Sequence, residues 1–133
     1  MSRISARKNA FNLIFQYGFI NAEEVESNKD IYFGENLDID EEDKKYILAT
    51  VDGTIENIEK IDEVIAERAR GWSIERMSKV DLAILRLAVY EILFSEDMPD
   101  SITINEAVEL AKKYSSDEAP AFINGILGKL SQR

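Results

Sequence analysis

From Val80 to Phe94 the chain reads VDLAILRLAVYEILF, apolar everywhere except at Asp81, Arg86 and Glu91. At about 100° per residue these three positions fall near 0°, 140° and 280° round a helix, so the segment has no polar face and needs neighbours on all sides. It is predicted to be a central helix. Ser78 caps its start, with Asp81 as the acidic arm of a capping box. The segment is too short and too charged to cross a bilayer.

The remaining apolar positions recur at spacings of three and four. Ala6, Ala10, Leu13, Ile14 and Tyr17 predict a helix from Ser2 to about Phe19, with Phe11 and Phe15 on a flank of the same helix. A short helix is expected over about Ala22–Lys29, followed by a loop with Gly34 and Asn36 as turn formers. Asp40 caps the next helix, whose stripe of Ile47, Val51, Ile55 and Ile58 continues through Ile61, Val64, Ile65 and Ala69. A break is expected near Lys60–Asp62, where Asp62 can cap. Gly71 ends this stretch as a left-handed cap, Ser73 caps a single turn, and the lone Trp72 is expected to plug the core.

After Phe94 the segment SEDMPDS is a connector. Thr103 and Glu106 predict a capping box for a helix with Ala107, Val108, Leu110, Ala111 and Tyr114 on its apolar side. Pro120 suits the first turn of a last helix, with Ile123, Ile126, Leu127 and Leu130 facing inward. Phe122, Gly125 and Lys129 share an offset face of that helix. No strand pattern or repeat is present. The expected fold is all-α, about seven helices in two small bundles that share a core around the buried central helix. One domain covers 1–133, with sub-bundles at roughly 1–71 and 72–133.

The chain of 133 residues has no cysteine and no histidine, which removes disulfides, the common zinc ligand sets and Ser-His or Cys-His catalysis. No catalytic residue, metal site or cofactor is expected, and a cytoplasmic location is. The first twenty residues are basic and amphipathic like a transit peptide, but no small-residue cleavage pattern follows and their apolar spacing suits packing. The net charge is −10, and it is unevenly spread. Residues 1–20 carry Arg3, Arg7 and Lys8 and no acid, residues 21–63 hold fifteen acids against four lysines, and the last fifteen residues carry Lys129 and Arg133 and no acid. Cationic ends on an anionic body are compatible with a local anion-binding surface.

Four stretches, RKNAFNLIFQ (Arg7–Gln16), VDLAILRLAVYEI (Val80–Ile92), INEAVELAKKYS (Ile104–Ser115) and FINGILGKL (Phe122–Leu130), stand in an order that resembles the NusB family of bacterial transcription antitermination factors. The resemblance spans nearly the whole chain and implies an all-helical, non-enzymatic protein. Such a protein binds the boxA element of nascent ribosomal RNA leader transcripts with NusE, a small-subunit ribosomal protein. It joins RNA polymerase and other Nus factors in suppressing premature termination. The resemblance puts Arg3, Arg7 and Lys8 in the basic RNA-binding arm, which is sparser here than in members with an arginine-rich arm. It places Phe15 at the end of the first motif and Phe122 and Asn124 in the last, and it makes Asp81 a NusE contact. Some members form homodimers. NusB-like domains also accompany ribosomal RNA cytosine methyltransferases, so a detached accessory domain is one alternative reading and a purely protein-binding adaptor is another.

On the RNA reading, Arg3, Arg7 and Lys8 hold phosphates, Phe15 or Phe122 offers a ring to an unpaired base, Asn124 offers a donor and an acceptor, and Lys129 adds a cation. That arrangement requires the first and last helices to lie side by side. It also predicts that Arg7→Ala weakens RNA binding with the melting temperature nearly unchanged.

Overall fold

Seven α-helices and one 3₁₀ turn are formed by the residues that the computed structural model describes, 3–95 and 98–131. In order they are α1 (Arg3–Tyr17), α2 (Ala22–Glu35), α3 (Glu41–Glu56), α4 (Ile58–Arg68), the 3₁₀ turn Ile74–Arg76, α5 (Lys79–Phe94), α6 (Asp100–Tyr114) and α7 (Ala119–Ser131). Helix α5 is the centre: α1, α3, α4, α6 and α7 all pack on it, and Leu82 through Val89 are buried without interruption.

Three charged residues of α5, Asp81, Arg86 and Glu91, explain how it is held. Each reaches a different neighbour. The Asp81 carboxylate accepts the Ser115 hydroxyl at 2.6 Å, at the end of α6. Arg86 donates from Nε and Nη2 to the two oxygens of Asp62 on α4, at 2.9 and 2.8 Å, and its guanidinium stacks 5.5 Å from the Tyr17 ring centre of α1. Glu91 accepts from Arg7 of α1 and, at 3.4 Å, from the Tyr46 hydroxyl of α3. A buried charge is tolerated only when paired, so Arg86 and Glu91 set the register in which the helices surround α5.

Local signals hold at some helix starts and fail at others. The Ser78 hydroxyl accepts the Asp81 N–H at 3.0 Å, and the Asp40 carboxylate accepts the Asp43 N–H at 2.8 Å. Gly71 is left-handed, with φ of 81°. The expected break near Lys60–Asp62 falls instead at Asn57, whose side-chain amide donates to the Gly53 carbonyl at 2.8 Å. Asp62 is unavailable as a cap because Arg86 holds it. Helix α2 runs on to Glu35, past the expected end at Lys29, from an Asn21–Glu24 capping box. Lys29 is buried between the carboxylates of Glu26 and Asp52, which ties α2 to α3. Helix α6 starts after Pro99, four residues ahead of the expected cap Thr103, which is buried inside it. Ser73 precedes the 3₁₀ turn without a side-chain cap bond. Trp72 is 54% exposed, so it plugs nothing.

Candidate nucleic-acid interface

Helical spacing of four puts Phe11 and Phe15 in a row along α1, and Phe19, in the turn that follows, continues it. Phe11 and Phe15 stack with centroids 6.1 Å apart, and Phe19 meets Phe15 edge-on at 5.1 Å. Tyr114, the last residue of α6, extends the row by stacking on Phe11 at 5.6 Å. Phe11 is buried and Phe15 partly so, whereas Tyr114 is exposed and Phe19 is 63% exposed. The row is thus anchored at its middle and open at both ends.

Two lysines flank the Tyr114 end. Lys8 Nζ lies 5.9 Å and Lys113 Nζ 5.4 Å from the ring centre. Burial pushes the Tyr114 phenol up, but hydrogen bonding and charge from Lys8, joined by Lys113, outweigh it and hold the phenol below its ordinary value. The Lys8 ammonium is held above its ordinary value, first by its hydrogen bond to Tyr114. Exposed cations beside an exposed ring are the elements needed to hold a phosphate and stack a base. The pattern in the sequence points to Lys8 but counts Tyr114 as packing, because position within α6 does not reveal that its helix ends against α1.

Arg7 does not belong to this surface. It is 2% exposed, and its Nε and Nη2 lie 3.1 and 2.7 Å from Glu91 Oε1. Its Nη1 is buried without a hydrogen-bond partner. Residues 7 and 8 differ by about 100° round the helix, which turns one inward and the other outward. The expectation that Arg7 contacts phosphate from the surface is therefore corrected. Arg3 opens α1, and its side chain lies outside the described residues.

The other predicted residues gather around α7, and not on one face. Phe122 meets Trp72 edge-on at 5.9 Å, and these rings with Met77 and Ala119 wall a recess of about 330 Å³. Arg76, Ser78, Asp81, Ser116 and Glu118 edge it. Asn124 is exposed in a separate groove between α6 and α7, together with Asn105. Lys129 donates to the Arg68 carbonyl at 3.3 Å, at the end of α4.

Helix α1 does not pack along α7, contrary to the expectation; each packs on α5 instead. Arg7 meets α5 at Glu91, and Phe122 lies by the recess at Asp81, about 15 Å away along the helix axis. The connection between the two regions is the turn after α6: Tyr114 carries the cation pair, Ser115 bonds Asp81, and Ser116 edges the recess. Among the described residues no group of acids is disposed to hold a metal, and no helix is long and apolar enough to cross a membrane.

Seven helices, one of them a buried rod, with exposed chemistry consisting of rings, lysines and an apolar recess, define an all-α binding module. The NusB family model matches residues 4–132. The transcription antitermination protein NusB of Agathobacter rectalis is 43% identical over 131 residues, 98% of this chain and all of the relative. That of Acetivibrio thermocellus is 47% identical over 131 residues, 98% of this chain and 88% of the relative. T. maritima NusB superposes with a TM-score of 0.91 at 34% identity, over all of this chain and 92% of that one. A crystal structure of antitermination factors NusB and NusE in complex with dsRNA contains a chain with a TM-score of 0.85 and 27% identity, covering 98% of this chain and 96% of that one. The chain belongs to the NusB family, a family of non-enzymatic transcription antitermination proteins.

Proposed function

We propose that this protein is a cytoplasmic antitermination factor that binds the boxA element of ribosomal RNA leader transcripts together with NusE, and so helps RNA polymerase pass terminators. The observation that carries the reading is the cation and ring cluster of Lys8, Lys113 and Tyr114 at the open end of the Phe11–Phe15–Phe19 row, on a chain of net charge −10. A relative solved with NusE and dsRNA supports the same ligand class. In this reading Lys8 and Lys113 hold phosphates, with Arg3 as a further cation. Phe15 and Tyr114 present rings to unpaired bases, and Asn124 reads a base edge from a separate groove between α6 and α7. Lys129 adds charge at the far end of α7. Asp81 and the Trp72–Phe122 recess face the protein partner.

Few cations serve the RNA, so affinity for RNA alone is expected to be modest and NusE must supply the rest. Fluorescence anisotropy with boxA RNA and a scrambled RNA, with and without NusE, tests the reading. Salt-sensitive binding of boxA over the scrambled sequence, strengthened by NusE and lost in the Lys8→Ala/Lys113→Ala variant, is the expected result. Binding of NusE with no effect of RNA would identify a protein adaptor instead.

A further inference from the structure

The C-terminal end of α2 exposes aliphatic surface where the fold gives no reason for it. Leu37 is 85% and Ile31 61% exposed, and at Gly34 there is open space where a side chain would stand. Asp30, Glu35 and Asp38 are exposed in the same stretch. None of the three has a cationic partner among the described residues.

One of these acids opposes the helix that carries it. Glu35 ends α2 and Asp30 stands little more than one turn earlier, while the last turn has no basic residue. Carboxylates at the negative end of a helix dipole are unfavourable. The nearby acids Asp40, Glu41, Glu42 and Asp43 differ, because they sit at the start of α3, where the dipole favours them and Asp40 caps. Helix formation thus accounts for the second group and not the first. Exposed aliphatic side chains among unpaired carboxylates are complementary to a segment that alternates apolar and cationic residues. The same carboxylates repel RNA phosphates.

We propose that the surface from Asp30 to Asp38 docks a basic amphipathic segment of a protein partner, with aliphatic side chains seated on Ile31 and Leu37 and lysines or arginines on Asp30, Glu35 and Asp38. No residue assigned to RNA or to the Asp81 recess lies in this stretch.

The test uses the full ¹⁵N-labelled chain and a synthetic helical peptide with leucines four positions apart, flanked by lysine and arginine. One control peptide has serine for leucine, and another has glutamate for the basic residues. The expected result is saturable shifts of the Gly34, Glu35 and Leu37 amides with the first peptide only, weakened about tenfold or more by Ile31→Ser/Leu37→Ser. The Asp30→Asn/Glu35→Gln/Asp38→Asn variant is expected to lose binding with an unchanged or higher melting temperature, since the removed Glu35 charge opposes the α2 dipole. Equal, diffuse shifts with the leucine and serine peptides would overturn the proposal, as would the absence of saturable shifts at these amides. Displacement of the peptide by boxA RNA would do the same by assigning the surface to nucleic acid. Shifts of the same amides on concentrating the chain alone would assign it to a second copy.

Discussion

Arg7 and Lys8 are adjacent cations with opposite fates, and the difference lies in the partner each finds. Arg7 meets Glu91 in the core, where both side chains are almost wholly shielded from water. Arg7→Ala would remove the cation that Arg7 brings to the buried Glu91 carboxylate, a loss expected to cost about 3–5 kcal/mol. Urea unfolding checks this. A double variant, Arg7→Met/Glu91→Leu, should recover most of the loss, because it removes both charges together. Retention of full stability by Arg7→Ala would show that Arg7 is not a core residue. Lys8→Ala should leave stability nearly unchanged while weakening RNA binding. Residue type alone cannot separate the two lysine-and-arginine roles, since it takes the position of Glu91 on another helix to draw Arg7 inward.

Two elements depend on close contacts that single substitutions can probe. Helix α3 passes α5 at Gly53, where an added Cβ would run into the Tyr90 ring. Alanine improves helix propensity by up to about 1 kcal/mol, but the overpacking is expected to exceed that. Gly53→Ala should therefore destabilise by about 1–3 kcal/mol in thermal or urea unfolding. Helix α2 is clasped to α3 through Lys29. Burial opposes the Lys29 charge, but hydrogen bonds and attraction from Asp52 and Glu26 prevail and hold its pKa above the ordinary 10.5. A raised folded-state value means that the stabilisation is complete below 10.5 and is lost as pH rises through the folded value. The stability difference between the native chain and Lys29→Met should stay constant from neutral pH to about pH 10 and shrink above 10.5, as followed by urea unfolding. Helix identities were readable from periodicity and caps, but the ends of α2, α3 and α6 were not. Lys29 looks like the polar end of a short helix until Asp52 is brought beside it.

For the molecule as a whole, core and surface should separate cleanly in experiment. Leu87 is buried in the middle of α5, and Leu87→Ala should cost about 2–5 kcal/mol in urea unfolding. The Lys8→Ala/Lys113→Ala variant should keep its stability and lower the slope of log affinity against log salt by about 1.4 for single-stranded RNA, the contribution of two phosphate contacts. Loss of stability without a change of slope would remove these lysines from the interface. The all-α fold and its buried central helix follow from the order of apolar residues along the chain, because a helix without a polar face can persist in water only when others cover it. The cationic patch at the chain start could be seen in the same way, as charge close together in sequence. Which cations face outward, where Tyr114 meets Phe11, and whether α1 touches α7 depended on the packing of helices far apart in the chain. Periodicity specifies which side of each helix is apolar, but distances between helices arise only when those sides are closed against one another.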